Sequence, residues 1–368
     1  MKIIIDNNIP FIKGILENYA DVSYLPGNEI NPAIVKDADA LLIRTRTKCG
    51  PDLLTGSRVR FIGTATIGTD HIDTAWCENN GIKWVNAPGC NSGSVMQYIT
   101  SALLWLSGKY GFNLREKTLG IVGVGNVGIK VHRMALAMGM NVLLNDPPRE
   151  RAEGKSQFVS FEELAAESDI ISFHVPLALS GPDKTLGLAG SGFFTNSRKG
   201  HFIINSSRGG VVDESFLIRS LKSGFTTGAV TDVWAGEPGL DIDLMRLSAI
   251  STPHIAGYSL DGKWNESVMV LEKLSEFFGL GLSQEPIAGP QGPADSRIFL
   301  NAGDPLDIQL RKAVNTTYDI VADSEKLKNS PLDFEKIRNN YPARREFHAY
   351  NTDAAGEASV ILGNLGFR

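Results

Sequence analysis

Cysteine is scarce in this sequence: 368 residues hold three, Cys49, Cys77 and Cys90. They are odd in number, widely spaced and free of any CxxC pair, which excludes a disulfide framework and fits reduced thiols in a cytosol. No uninterrupted apolar run approaches the roughly 20 residues needed to span a bilayer. The start, Met1 to Asp6, offers one lysine and three isoleucines before an acid, too little for the apolar core of a signal peptide. Charge of one sign is lacking as well. Thirty-six Lys and Arg against 41 Asp and Glu give a net charge of −5, which excludes a general polyanion binder while leaving room for local basic clusters. There is no HExxH, Cys/His or clustered-carboxylate pattern, so no metal site is expected, and no GxSxG elbow for a serine nucleophile. The expectation is a soluble cytoplasmic protein without nucleic-acid or membrane partners.

What is present is ordinary globular text. Hydrophobic residues make up 42% and charged residues 21%, and the length corresponds to about two to three domains of about 150 residues. In the first 93 residues, Lys2 to Asp6, Ala40 to Ile43, Phe61 to Ala65 and Lys83 to Asn86 read as strands, with a helix over Asp70 to Asn80. A long helix is expected over Val95 to Tyr110. A second series of strands follows at Leu119 to Val122, Val142 to Asn145, Ile170 to Val175, Phe202 to Asn205, Gly228 to Val233 and Ala249 to Thr252. Six strands so spaced predict a complete doubly wound parallel sheet. A helix over Lys263 to Gly279 precedes a linker, Gly279 to Pro293, rich in Gly and Pro, and ordered text resumes with a strand at Arg297 to Leu300 and a helix at Pro305 to Val321.

Gly123-Val124-Gly125-Asn126-Val127-Gly128 matches GxGxxG, a pattern that chance alone supplies about 0.4 times in a chain this rich in glycine. Its context is more informative. The hexapeptide follows an apolar strand, opens the helical run Ile129 to Met138, and precedes a strand that ends in Asn145-Asp146. Gly123 permits the tight turn, Gly125 lets the backbone approach a pyrophosphate, Gly128 lets helix and strand pack, and Asp146 stands where an acid holds the adenosine ribose. An acid there favours NAD over NADP, with Arg149 and Arg151 nearby as a counter-argument. The bland alternative is a small-residue βα turn.

Three further segments sit at strand ends, where open α/β sheets bind ligands: Asn205-Ser206-Ser207-Arg208-Gly209, Asp232-Val233-Trp234-Ala235-Gly236-Glu237-Pro238 and Thr252-Pro253-His254-Ile255-Ala256-Gly257. They offer a guanidinium, a carboxylate and an imidazole. That set suits oxidation of an alcohol beside a carboxylate: imidazole takes the hydroxyl proton, guanidinium grips carboxylate and developing carbonyl, and a nicotinamide accepts hydride. A carboxylate on the far ring nitrogen would orient the imidazole and favour the protonated form used in reverse.

These segments resemble those of the D-isomer-specific 2-hydroxyacid dehydrogenases over nearly all of residues 1 to 280. Arg44-Thr45-Arg46-Thr47, Ala65 to His71, Asn86 to Asn91, Asp146-Pro147-Pro148-Arg149 and His254 to Ser259 look like a branch of that family with a carboxy-terminal extension. The resemblance implies two doubly wound (Rossmann/flavodoxin-like) α/β domains with a cleft between them, plus a small α+β dimerisation domain. Residues 1–93 and 257–280 would form the substrate (lid) domain, 94–256 the NAD-binding domain, 281–293 the linker and 294–368 the domain that makes a homodimer. Chain crossings near 94 and 257 to 265 would let the domains close over substrate.

The implied catalytic residues are Arg208, Glu237 and His254. Gly123, Gly125, Asn126, Val127, Gly128, Asp146, Val175, Ser206, Ser207, Arg208, Asp232 and Gly257 would line the NAD site; Thr45, Thr66 and Tyr258 would touch substrate. The implied reaction is oxidation of 4-phospho-D-erythronate at its 2-hydroxyl, a step toward pyridoxal phosphate. Arg44 and Arg46, with Lys48, are the residue-level candidates for its phosphate, against the reading of a solvated basic loop. Arg344-Arg345 could reach the phosphate of a partner subunit. Two other readings stay open: a dehydrogenase for phosphoglycerate, glyoxylate or another 2-oxo acid, and an NAD-sensing binding protein on the same fold.

The remaining histidines have blander readings. His71 belongs to a turn and helix start capped by Thr69 or Asp70, His132 lies in the helix after the glycine turn, and His174 ends an apolar strand as a structural residue with a secondary role open. His201 and His348 have no motif around them. Trp234 and Trp264 read as core or interface anchors.

Overall fold

The computed structural model describes residues 1–154, 157–282, 287–342 and 344–368. The chain forms two compact units, Met1–Asn91 with Ser259–Gln291, and Ser92–Tyr258 with Gly292–Arg368.

The first unit is a parallel sheet of five strands, β1 (Lys2–Asp6), β2 (Asp21–Leu25), β3 (Ala40–Ile43), β4 (Phe61–Thr64) and β5 (Lys83–Val85), in the order β2-β1-β3-β4-β5. This is the flavodoxin-like order. Strands β1, β3 and β4 are almost wholly buried apolar runs, as both faces of a parallel sheet require. Ile3, Ile5 and Leu42 face one core, which the long helix Leu260–Phe278 completes with Val270 and Leu274. Ile4, Leu41 and Ile43 face another, packed by the short helices α1 (Pro32–Val35), α2 (Pro51–Leu54) and α3 (Thr74–Asn79). Gly63 in β4 is needed for the closeness of the long helix, because a Cβ there would stand 2.4 Å from a Val270 methyl. Strand β2 was not expected from the sequence: it is an edge strand, Asp-Val-Ser-Tyr-Leu, without a buried residue. Helix α3 is capped by Asp73, whose carboxylate accepts from Trp76 N, so the cap expected at Thr69 or Asp70 lies further along and the helix starts later.

The second unit opens with α4 (Ser92–Tyr110) and carries six parallel strands, β6 (Thr118–Val122), β7 (Asn141–Asn145), β8 (Ile170–Phe173), β9 (His201–Asn205), β10 (Thr226–Thr231) and β11 (Ile250–Ser251), in the order β11-β10-β9-β8-β6-β7. The strand order reverses between β6 and β8, the point where such sheets bind ligands beyond their carboxyl ends. Helices α5 (Gly128–Ala137), α6 (Pro147–Glu153), α7 (Phe161–Glu167), α8 (Ser191–Asn196), α9 (Glu214–Lys222) and α10 (Ile242–Leu247) connect the strands. In chain order the long helix of the first unit is then α11.

After it come β12 (Arg297–Ile298), α12 (Leu306–Thr317), α13 (Ile320–Asn329), α14 (Phe334–Asn339), β13 (Asn351–Thr352) and α15 (Gly356–Leu365). The helix expected over Pro305 to Val321 is two, because Tyr318 turns extended and Asp319 caps a new helix on Val321 N and Ala322 N. The sequence suggested a separate domain over 294–368. There Leu310, Val314, Ile361 and Leu362 share one hydrophobic core with Tyr98, Ile99 and Leu103 of α4, and the segment falls in the same compact unit as the second sheet. Residues 283–286 of the expected linker lie outside the described residues.

Candidate active site

The glycine turn connects β6 to α5. Gly123 has φ +89°, and a Cβ on it would lie 2.8 Å from the His174 carbonyl oxygen and 2.7 Å from a Val175 methyl. Val175, just past β8, is thereby packed against the turn. Gly128 is equally restricted, with its absent Cβ 2.1 Å from the Gly123 carbonyl, whereas nothing lies within 4 Å of one on Gly125. That open face, and a helix α5 whose N-terminus has no side-chain cap, fit approach of a pyrophosphate to backbone N–H groups. Asn126 and Val127 complete the turn. The Asp146 carboxylate accepts from Val124 N at 2.8 Å and from Arg149 N at 3.1 Å, so it ties the glycine turn to the end of β7. Arg149 pairs with Glu153 at 2.6 Å and Arg151 with Asp183 at 2.5 Å. Both cations near Asp146 are thus paired with acids in partly exposed ion pairs.

The Arg208 loop follows β9. Asn205 Oδ1 accepts from both Ser207 N and Ser207 Oγ, at 3.2 and 2.8 Å, and fixes the turn. Ser206 Oγ is buried without a partner, a polar group suited to a ligand atom. Arg208 is exposed, with Nη1 donating to Ser207 O. Gly209 explains how this loop meets the next: a Cβ there would sit 2.0 Å from the Trp234 carbonyl oxygen. The Trp234–Glu237 turn is also held by Glu214, which accepts from Ala235 N at 2.7 Å.

Glu237 Oε1 accepts from Trp234 N at 2.9 Å, and its Oε2 lies 2.7 Å from His254 Nδ1. Burial pushes the Glu237 carboxyl up, but the His254 hydrogen bond and charge, the Trp234 N–H and the Arg338 charge together bring it below the usual carboxylate value. With Nδ1 engaged, His254 Nε2 has no partner among the described residues. His254 has a left-handed backbone, φ 57°, held by its N–H donating to Asp232 O at 2.8 Å. The Asp232 carboxylate is fully buried and accepts from Thr252 Oγ1, Ile255 N and Ala256 N, at 2.6, 2.8 and 2.9 Å. Its side chain thus anchors the histidine loop. Gly257 and Tyr258 complete that loop, and the Tyr258 hydroxyl accepts from Arg338 Nε at 3.0 Å. Nothing in the sequence singled out Arg338.

The first unit presents its candidates after neighbouring strands β3 and β4. Thr45 and Arg46 are exposed. Arg46 has no partner among the described residues, but Arg44 is bound to Glu266 of α11, a buried carboxylate that the sequence reading passed over. The Thr66 hydroxyl lies 2.7 Å from Thr64 Oγ1 and donates to Gly68 O, while Thr64 Oγ1 is 2.9 Å from His71 Nε2. Arg344 is buried and donates to Ile255 O and Ala256 O of its own chain. The suggestion that it reaches a partner's substrate is corrected, because the side chain is buried within its own fold. Arg345 is buried too. Among the described residues, no group of three His, Cys, Asp or Glu could hold a metal ion, and no helix is long and apolar enough to cross a membrane.

Residues 97–256 match the family model for the NAD-binding domain of D-isomer specific 2-hydroxyacid dehydrogenases, and residues 297–366 match a domain of unknown function, DUF3410. Fold, glycine turn and this match define the class, an NAD-dependent oxidoreductase of the D-2-hydroxyacid dehydrogenase type. Erythronate-4-phosphate dehydrogenase of Bacteroides fragilis is 48% identical over 351 residues, covering 95% of this chain and 98% of the relative. Its counterpart in Porphyromonas gingivalis is 42% identical over 369 residues, covering 100% of both. The chain belongs to the erythronate-4-phosphate dehydrogenase family. Among solved structures, D-lactate dehydrogenase from Aquifex aeolicus, complexed with NAD and lactic acid, shares the fold with a TM-score of 0.59 at 24% identity, covering 80% of this chain and 100% of that one.

Proposed function

We propose that this protein oxidises 4-phospho-D-erythronate at its 2-hydroxyl, with NAD, to (R)-3-hydroxy-2-oxo-4-phosphooxybutanoate on the route to pyridoxal phosphate. The observation that carries the chemistry is the His254–Glu237 pair, 2.7 Å apart, with Nε2 left available. His254 Nε2 takes the hydroxyl proton as the C2 hydride departs. Glu237 keeps the ring oriented through Nδ1 and stabilises the imidazolium that results. Arg208 grips the carboxylate and the developing carbonyl. When bound, NAD supplies the hydride acceptor. The glycine turn and Asp146 would position its pyrophosphate and ribose, with Val175, Ser206, Ser207 and Gly257 lining the same site.

The substrate assignment rests on the family relationship. Since Arg44 is committed to Glu266, Arg46 is the cation for the phosphate, with Thr45, Thr66 and Tyr258 as further substrate contacts. A second copy of the chain is the proposed partner of the carboxy-terminal segment, where Phe299 and Val360 are each 65% exposed; light scattering of the eluted protein tests this. The cytoplasm is the proposed location. Substrate class is tested by initial rates of NADH formation with 4-phospho-D-erythronate, 3-phosphoglycerate and unphosphorylated 2-hydroxyacids. Preference for an unphosphorylated acid overturns the assignment.

A further inference from the structure

The carboxy-terminal segment bears most directly on the part of the chain that carries His254. The peptide groups of Ile255 and Ala256 are held from two sides. Their N–H groups donate to the Asp232 carboxylate at 2.8 and 2.9 Å, and their carbonyls accept from Arg344 Nη2 at 3.3 and 2.7 Å. An anion on the donors and a cation on the acceptors fix the orientation of both peptide planes. Immediately before them stands His254 in its left-handed conformation, which is unfavourable for a non-glycine residue and persists only where neighbours over-determine it. Two residues beyond them, Arg338 Nε donates to the Tyr258 hydroxyl, with the guanidinium carbon 5.6 Å from the ring centroid.

Arg344 is costly to bury if packing were its only task. Its Nε and Nη1 have no hydrogen-bond partners, and a buried cation with unmet donors is unfavourable unless other contacts offset it. Those contacts are the Tyr318 ring, 4.2 Å away, and the Tyr341 ring at 5.7 Å. Tyr341 in turn donates to Asp323 at 2.7 Å. The direct hydrogen bonds of the guanidinium go to the two carbonyls after His254. The same segment also reaches the strand that leads to the histidine. Ser251 N donates to Ser324 Oγ at 3.0 Å, and Lys328 Nζ donates to Ser248 O at 2.6 Å.

We propose that the carboxy-terminal segment completes the catalytic apparatus within its own chain, Arg344 and Arg338 being positioning residues that set the backbone carrying His254 and the ring of Tyr258. Neither arginine touches the reacting atoms; each acts through the loop. The proposal rests on the reading of His254 as the acid–base group and gives a task to a segment whose family model has none.

The test compares Arg344→Met, Arg344→Lys, Arg338→Met and His254→Ala in the full-length protein. Displacing a catalytic group by about 1 Å costs about 100-fold, so Arg344→Met is expected to lower kcat by about that factor while the Kd for NAD and the circular dichroism spectrum stay as in the parent. Arg344→Lys, which keeps a donor and the charge, should recover at least about tenfold of the loss. Arg338→Met should raise KM for the acid about tenfold, the worth of one charge-assisted bond, with a smaller effect on kcat. A purely structural role would produce neither the KM-against-kcat split nor the rescue. If Arg344→Met keeps kcat within about threefold of the parent while His254→Ala is inactive, the positioning role is overturned and the acid–base reading stands. If His254→Ala remains active, it is that reading which fails. Should Arg344→Met not fold, Arg338→Met decides, and unchanged kinetic constants overturn the proposal.

Discussion

The two units arm the carboxyl ends of their strands differently. In the second, several candidate groups are held by another loop: Glu237 by His254, His254 by Asp232 O, Asp146 by the glycine turn. In the first, Thr45 and Arg46 are exposed, and Arg44 and Thr66 are occupied by their own neighbours. Proton and hydride transfer need groups fixed to fractions of an ångström, whereas recognition of a doubly charged phosphate tolerates a long, solvated side chain. Under the proposed function, the contrast is one between preorganised chemistry and adaptable binding.

Four substitutions probe that contrast. The largest effect is expected from His254→Ala, a loss of about 10²–10⁴ in kcat with the Kd for NAD nearly unchanged; NADH absorbance and a fluorescence titration measure the two. Gly209→Ala should come next. Its Cβ would meet the Trp234 carbonyl at 2.0 Å, forcing the arginine and glutamate loops apart, with an expected cost of about 100-fold in kcat and about 1–3 kcal/mol in stability by urea unfolding. Full activity in that variant would mean that the loops are not set by this backbone contact.

Arg46→Ala probes the other unit. Loss of one charge-assisted contact, worth about 1.5–3 kcal/mol, should raise KM for the phosphorylated acid by about 10- to 100-fold and leave an unphosphorylated 2-hydroxyacid unaffected. Equal effects on both would remove the phosphate role. His174→Asn should be nearly silent at neutral pH. Burial pushes the His174 imidazole down to about 3, against about 6.5 in an unfolded chain. Between those values the unfolded state binds a proton that the folded state does not, so stability falls as pH drops from about 6.5 toward about 3. The side chain keeps some exposed surface, which makes about 1.4 kcal/mol per pH unit the upper bound on its share of the slope. Replacement by Asn should flatten urea-unfolding free energy across that window; an unaltered slope would place the proton elsewhere.

Local pattern explains what could be read directly. Buried parallel strands are unbroken apolar runs, so β1 and β3 were legible to the residue, and the glycine turn announced itself through its strand, helix and following acid. Edge strand β2 escaped because two of its five positions, Asp21 and Ser23, are polar and it has no buried face. At Tyr318–Asp319 the apolar spacing runs on through a break that only the cap geometry reveals.

The sequence by itself determined the two doubly wound sheets and the residue types of the site, because periodicity and turn chemistry act over a few residues. It also put forward Arg208, Glu237 and His254 as candidates, through motif resemblance rather than through any contact between them. Tertiary structure alone decided which charges are spent. Arg44 is bound to Glu266, 222 residues away, and Arg344 to carbonyls 88 and 89 residues away. Such pairings follow from the folding of separate layers onto one another, and no local propensity encodes which buried carboxylate or carbonyl a distant arginine will meet.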